Sequence, residues 1–232
     1  MKRIIGRQFL TGDEFNDYTG VEPTPLTFAD LNTGQLPIFY RHKWILDSVD
    51  EMNARGEAVY RFLDIGCADG KLSALMATRR TVPTRGDSVT LDVDCIEAHH
   101  KTWESAEILA KSMREAGYKM TTYNSTFEDF NTERRYDAIA AFEFLEHTKD
   151  PLFCVEKMYD LLDLGGYLFI TVPEQNGQYG VQDKNPFHYW TATVQSVTSV
   201  LFGDDRRWRI MKMIETPDSL IHMMIRKKVY AP

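Results

Sequence analysis

Phe142-Glu143-Phe144-Leu145-Glu146-His147 sets two carboxylates and an imidazole within five positions, directly after an apolar run. An imidazole titrates near neutrality, so His147, with Glu146 beside it, is suited to taking a proton from an acceptor hydroxyl. Glu143, Glu146 and His147 stand at i, i+3 and i+4, a spacing that brings side chains onto one face if the chain enters a helical turn at Phe144. Oxygen and imidazole donors in that mix suit Mg²⁺ or Mn²⁺ better than a structural zinc site. His188, in Asn185-Pro186-Phe187-His188-Tyr189-Trp190-Thr191, adds a fourth donor on a loop that precedes a helical pattern. A plain strand end, an acid/base edge and a four-ligand metal site are three readings of the same stretch, and the residues alone leave all three open.

A second group lies earlier, in Leu63-Asp64-Ile65-Gly66-Cys67-Ala68-Asp69-Gly70. Gly66 and Gly70 would let a ligand lie against the backbone at the carboxyl end of a strand. Asp64 is a carboxylate at the end of an apolar strand, a costly place unless it accepts hydrogen bonds. In such folds an acidic residue ending the second strand takes the hydroxyls of a ribose, about 20 residues beyond the glycine turn. Asp92 and Asp94 compete for that role, displaced along the chain if Thr81 to Asp87 forms an extended loop. Asp94 with Glu97 three positions on has capping-box spacing, which assigns Asp94 to a helix N-cap and Asp92 to the ribose. Ser125-Thr126-Phe127-Glu128-Asp129 suits either an adenine ring or a solvated turn.

These groups need a frame that delivers them to one edge. Residues 1 to about 35, with scattered glycines and prolines, read as an irregular arm, and Pro37 to Met52 as a helix with one apolar face. Strands are expected at Ala58–Ile65, Ser88–Val93, Lys119–Tyr123, Tyr136–Phe142 and Tyr167–Val172. Helices are expected at Lys71–Thr78, Ile96–Ala116, Leu152–Leu162 and Thr191–Phe202. Such alternation requires a mainly parallel sheet covered on both faces. Trp208–Ile214 and Ser219–Lys227, joined at Thr216-Pro217-Asp218, close the chain as a hairpin that adds an antiparallel strand. The expected organisation is an arm and cap helix over residues 1–56 and a single globular domain over 57–232.

The chain's 232 residues, 43% hydrophobic and 26% charged, are enough for one well-buried core. The formal charge of −7 argues against general affinity for duplex nucleic acid. Cys67, Cys95 and Cys154 are too far apart in sequence to suggest a disulfide framework or thiolate zinc site, which fits a reducing cytoplasm. No run approaches 18 apolar residues and the first residues lack a long apolar core, so neither a membrane span nor a signal peptide is expected. Arg206, Arg207 and Arg209 around Trp208 read as a solvated face beside a strand.

Taken in order, Asp64–Gly70, Phe127-Glu128-Asp129-Phe130, Tyr136-Asp137 leading to Phe144–His147, and Leu164-Gly165-Gly166 before Val172-Pro173 resemble class I S-adenosylmethionine-dependent methyltransferases. The resemblance implies a Rossmann-like α/β fold with a seven-stranded, mainly parallel sheet and an antiparallel last strand. It implies S-adenosylmethionine as cofactor, with Asp64 and Gly66 at its methionine end. Asp92 falls at its ribose, Thr126 and Phe127 beside its adenine, and Cys67, Ala68, Gly70 and Phe142 in the same binding set. Family members usually carry glycine where Ala68 stands. Glu143, Glu146, His147 and His188 together resemble the ligands of metal-dependent small-RNA 2′-O-methyltransferases, and the first part is also similar to ubiquinone-biosynthesis O-methyltransferases. Methyl transfer to an oxygen of a small molecule, glycan or nucleotide end is the implied activity. A non-catalytic binding module and a nicotinamide-dependent oxidoreductase are the competing classes.

Overall fold

The computed structural model describes residues 25–32, 39–81, 88–174, 188–190, 192–204, 206–215 and 220–229. In chain order these form α1 (Phe28–Asn32), α2 (Tyr40–Ala54), β1 (Arg61–Ile65), α3 (Lys71–Ala77), β2 (Arg80–Thr81) and β3 (Val89–Thr90). They continue as β4 (Asp92–Glu97), α4 (His100–Glu115), β5 (Lys119–Asn124), β6 (Tyr136–Phe142) and a 3₁₀ turn at Leu145–His147. The last part holds α5 (Pro151–Leu161), β7 (Leu162–Pro173), α6 (Val194–Ser196) running into a π turn at Val197–Leu201, β8 (Trp208–Glu215) and β9 (Leu220–Lys227).

Seven strands make one sheet in the order β5-β4-β1-β6-β7-β9-β8, with β2 and β3 in a separate ribbon. β1 pairs parallel with β4 and β4 with β5, while β9 runs antiparallel to both β7 and β8. The expected seven-stranded α/β sheet with an antiparallel last strand is therefore present. β9 lies inside the edge, because the hairpin folds back between β7 and β8.

The chain separates into two compact units. Described residues from 25 to 132 with 136–138 form one, and residues 133–135 with the described residues from 139 onward form the other. In the first, Phe62, Leu63 and Ile65 of β1 and Val93, Cys95 and Ile96 of β4 are almost wholly buried, as strands covered on both faces must be. Asp94 lies among them, fully buried, where its carboxylate accepts a 2.7 Å hydrogen bond from the Tyr136 hydroxyl. In the second unit, Tyr167, Leu168, Phe169 and Ile170 of β7 and Ile221, Met223 and Ile225 of β9 form the core. There the Lys227 ammonium donates to the carbonyls of Tyr159 and Leu162, both at 2.8 Å, satisfying acceptors at the end of α5.

Several expected boundaries move. The second strand ends at Glu97 and α4 starts at His100, capped by the His99 ring, which accepts from the Thr102 amide. Asp94 is therefore a buried strand residue and not a helix cap. The expected helix over 191–202 is a short α turn followed by a π turn, entered through a capping box between Thr193 and Ser196. α1 falls within what reads as an irregular arm. The arm before residue 25, the loop from 82 to 87 and the turn at 216–218 lie outside the described residues. Among the described residues no helix is long and apolar enough to cross a membrane.

Candidate active site

In the first unit, β1 delivers Asp64 to the start of the glycine turn. The Asp64 side chain is buried and accepts a 2.6 Å hydrogen bond from the Ser73 hydroxyl on α3. Burial raises its pKa from 3.8 to about 7 against the Ser73 hydrogen bond, with Glu97 and Asp69 adding repulsion. The turn is held by the Ile96 carbonyl, which accepts from both the Gly66 and Cys67 amides at 2.9 and 3.0 Å. Gly66, Ala68 and Gly70 all adopt positive φ, of 70°, 49° and 76°. For Ala68 that is a left-handed conformation its Cβ disfavours. At Gly70 the reason for glycine is packing as well as φ: a Cβ would stand 3.1 Å from both Ala106 of α4 and Met120 of β5. Cys67 is buried, and the neighbouring Cys95 thiol together with burial pushes its own thiol well above the usual range.

The acidic residue at the carboxyl end of β4 is Glu97. Its two carboxylate oxygens accept from the amides of Ala68, at 3.0 Å, and His99, at 2.8 Å, which fixes it beside the glycine turn. Burial raises its pKa despite those bonds. Asp92 pairs with Arg61 at the opposite, amino-terminal end of the two strands, so it does not occupy the position the spacing assigns to it. Capping-box spacing assigns Glu97 to the first turn of a helix, but it closes the strand. The signal that places it at a strand end is the apolar set Val93, Cys95 and Ile96, which continues past Asp94 and ends at Glu97.

After β5, Thr126 closes a tight turn, donating to Asp129 at 2.8 Å and accepting from the Asp129 amide at 3.1 Å. Phe127 is buried in the core rather than laid open as a stacking face.

In the second unit, β6 ends at Phe142 and Glu143 turns the chain with φ 49°. The Glu143 amide is held at 3.0 Å by both the carbonyl and the hydroxyl of Thr171 on β7. The 3₁₀ turn that follows carries Glu146, fully buried, and His147, half-buried. The Tyr189 amide donates to the Glu146 carbonyl at 2.8 Å, pinning the loop that bears His188 against this turn. The His147 and His188 rings meet edge to face with centroids 4.7 Å apart.

One donor atom from each of Glu146, His147 and His188 lies within 4.8 Å of the other two. Bonds of about 2.0–2.2 Å to a small divalent cation separate donors by at most about 4.4 Å, so a few tenths of an ångström of closure would fit these three. Glu143 is outside this group. The left-handed residue precedes a 3₁₀ turn that starts only at Leu145, so the helical spacing that would align Glu143 with the others never forms.

The arginines near the end of the chain are engaged on the surface. Arg206 pairs with Asp204, Arg207 with Glu156 over the Tyr159 ring, and Trp208 is buried.

A family model described as a methyltransferase domain matches residues 38–218. Among curated relatives, a ubiquinone biosynthesis O-methyltransferase of Actinobacillus pleuropneumoniae serotype 5b is 29% identical over 156 residues, 65% of this chain and 61% of that protein. One of Vibrio parahaemolyticus is 30% identical over 139 residues, 59% of this chain and 51% of that protein. The chain thus spans roughly half to three-fifths of the length of these two relatives. Among solved structures, the N-methyltransferase NodS of Bradyrhizobium japonicum, bound to S-adenosyl-L-homocysteine, superposes with TM-score 0.57 at 16% identity, over 81% of this chain and 85% of its own. An S-adenosylmethionine-dependent methyltransferase of Clostridium acetobutylicum superposes with TM-score 0.64 at 11% identity, over 93% and 99%. At such identities the structures speak for the fold, whereas the sequence model runs through both the glycine turn after β1 and the donor group after β6; on that ground the chain belongs to the methyltransferase domain family.

Proposed function

We propose that the protein transfers a methyl group from S-adenosylmethionine to an oxygen of a small-molecule acceptor. The observation that carries the reading is the convergence of Glu146, His147 and His188 after the sheet's sixth strand, in a chain of a methyltransferase family. Its likeness to O-methyltransferases supports oxygen as the acceptor atom.

In this reading the glycine turn receives the cofactor. Glu97 accepts from the ribose hydroxyls, a role its backbone-fixed carboxylate suits, and Asp64 and Gly66 face the methionine end. Cys67, Ala68, Gly70 and Phe142 complete the binding set, with Thr126 at the adenine, while Phe127 supports that turn from the core. The acceptor oxygen attacks the methyl carbon in line with the C–S bond. The bond's electron pair passes to sulfur, leaving neutral S-adenosylhomocysteine, and the hydroxyl proton goes to a base. Glu146, His147 and His188 form the acceptor edge, and they fit a divalent cation, Mg²⁺ or Mn²⁺ by their oxygen and imidazole mix. Bound there, such an ion would lower the pKa of the acceptor hydroxyl. Glu143 positions the edge through its Thr171 hydrogen bonds and is not among the ligands.

The test is methyl transfer to catechol with chelator and with added Mg²⁺ or Mn²⁺, in the wild type and in His188→Ala. Loss of turnover in chelator, restored by metal in the wild type but not in His188→Ala, is the expected result. Full turnover in chelator would remove the cation and leave His147 as general base. No transfer under any condition, to catechol or to a small-molecule extract, would remove the activity.

A further inference from the structure

Asp64 stands where a negative charge is hard to keep. It is 3% exposed, next to the last residue of β1, and its carboxyl accepts a hydrogen bond from the Ser73 hydroxyl of α3 at 2.6 Å. The charged groups that act on it most are Glu97, at the end of β4, and Asp69, in the glycine turn, both of its own sign. Cys67 of the same turn is a buried thiol held well above its usual range, so it adds no positive charge either. The cation of α3, Lys71, lies 5.8 Å from the centre of the Phe39 ring, and the carboxylate that acts on it is Asp69. A carboxyl buried among like charges favours its neutral form, and that of Asp64 keeps its proton up to about 7.

Ser73 serves either form, since a hydroxyl donates to a carboxylate and accepts from a carboxylic acid. Glu97 is placed differently. Its two oxygens accept from the Ala68 and His99 amides, which support its charge from the backbone. What would ionise Asp64 is a positive charge brought to the turn. S-adenosylmethionine carries a net positive charge, its sulfonium and ammonium outweighing its carboxylate. S-adenosylhomocysteine has a neutral sulfur and no net charge, so it offers the carboxyl less.

We propose that Asp64 discriminates the cofactor from its demethylated product by charge: it is protonated in the ligand-free turn, releases that proton when S-adenosylmethionine binds, and keeps more of it when S-adenosylhomocysteine binds. Ser73 is its positioning residue, holding the carboxyl in place and favouring the ionised form. The inference rests on the assignment of the cofactor's methionine end to Asp64. Its consequence is a preference for cofactor over product that grows as pH rises toward neutrality.

The test is calorimetric titration of the full chain with each ligand at pH 5.5, 6 and 7, below the range in which the ligands' own amines titrate. At pH 6, buffers of low and high ionisation enthalpy count the protons released. The expected result is release of roughly one proton per S-adenosylmethionine, less with S-adenosylhomocysteine, and an affinity for S-adenosylmethionine that tightens roughly tenfold from pH 5.5 to pH 7. In Asp64→Asn the release disappears and the ratio of the two affinities stops changing with pH. In Ser73→Ala the tightening moves to higher pH, because the lost hydroxyl favoured the charged form. Wild-type binding with no buffer dependence, equal release with both ligands, or release that survives in Asp64→Asn overturns the proposal and leaves the cofactor reading standing. No binding of S-adenosylmethionine at any of these pH values overturns both. Proton release of the expected size without methyl transfer sustains the proposal and counts against the proposed activity.

Discussion

Asp64 is a carboxyl buried at the end of a strand, and its burial sets a pH dependence on stability. The unfolded chain releases its proton near 3.8 and the folded protein near 7. Between those values the folded state holds more protons, so stability falls as pH rises, by at most about 4 kcal/mol from this group. Glu97 shifts in the same direction and steepens the trend. Melting of the ligand-free protein at pH 5 and pH 8 should therefore show a lower Tm at pH 8. Asp64→Asn should flatten the difference while weakening S-adenosylmethionine binding. An unchanged slope in Asp64→Asn would show that the carboxyl is not the source. The glycine turn provides a paired test. Gly70→Ala must force a Cβ against Ala106 and Met120 at positive φ, and should cost about 1–3 kcal/mol or more in denaturant unfolding. Ala68→Gly removes the left-handed penalty and adds unfolded-state freedom, so it should change stability by less than about 1 kcal/mol. At Glu97, Glu97→Gln should lower cofactor affinity about tenfold by calorimetry, whereas Asp92→Asn should leave it unchanged.

Among the elements, the sheet was legible because its strands are apolar on both faces and helical periods separate them. Tyr136–Phe142 is read to the residue. The end of β4 was not, and the reason is specific. Asp94 looks like a cap by spacing, but its carboxylate lies in the core against the Tyr136 hydroxyl, a pairing across 42 residues that no local pattern reveals. The true cap, the His99 ring, is outside the usual capping residues. A helix begun at Asp94 puts the end of the strand at Asp92, whereas the strand runs on to Glu97. Glu143 stands apart from the other three donors for a comparable reason, since helical spacing has no force where β6 ends in a left-handed residue and a 3₁₀ turn. The Tyr136–Asp94 pair makes its own prediction. Tyr136→Phe removes the hydroxyl that the buried carboxylate accepts from, and should destabilise the protein by about 1–3 kcal/mol in urea. A smaller cost would mean that Asp94 is held mainly by other groups.

At the scale of the molecule, one sheet carries two kinds of strand end. A fixed carboxylate and a strained glycine turn lie at one, and a buried Glu with two imidazoles lies at the other. The family model gives the methyltransferase family and the solved structures the fold, while the proposed acceptor chemistry rests on the second group of residues. The most direct measurement is incubation of the protein with methyl-labelled S-adenosylmethionine and the small-molecule fraction of a cell extract, followed by base treatment of the products. The account predicts label in a base-stable O-methyl ether, lost in the Glu146→Ala variant. Cofactor binding with no label in any product, or label carried only by nitrogen, would contradict it.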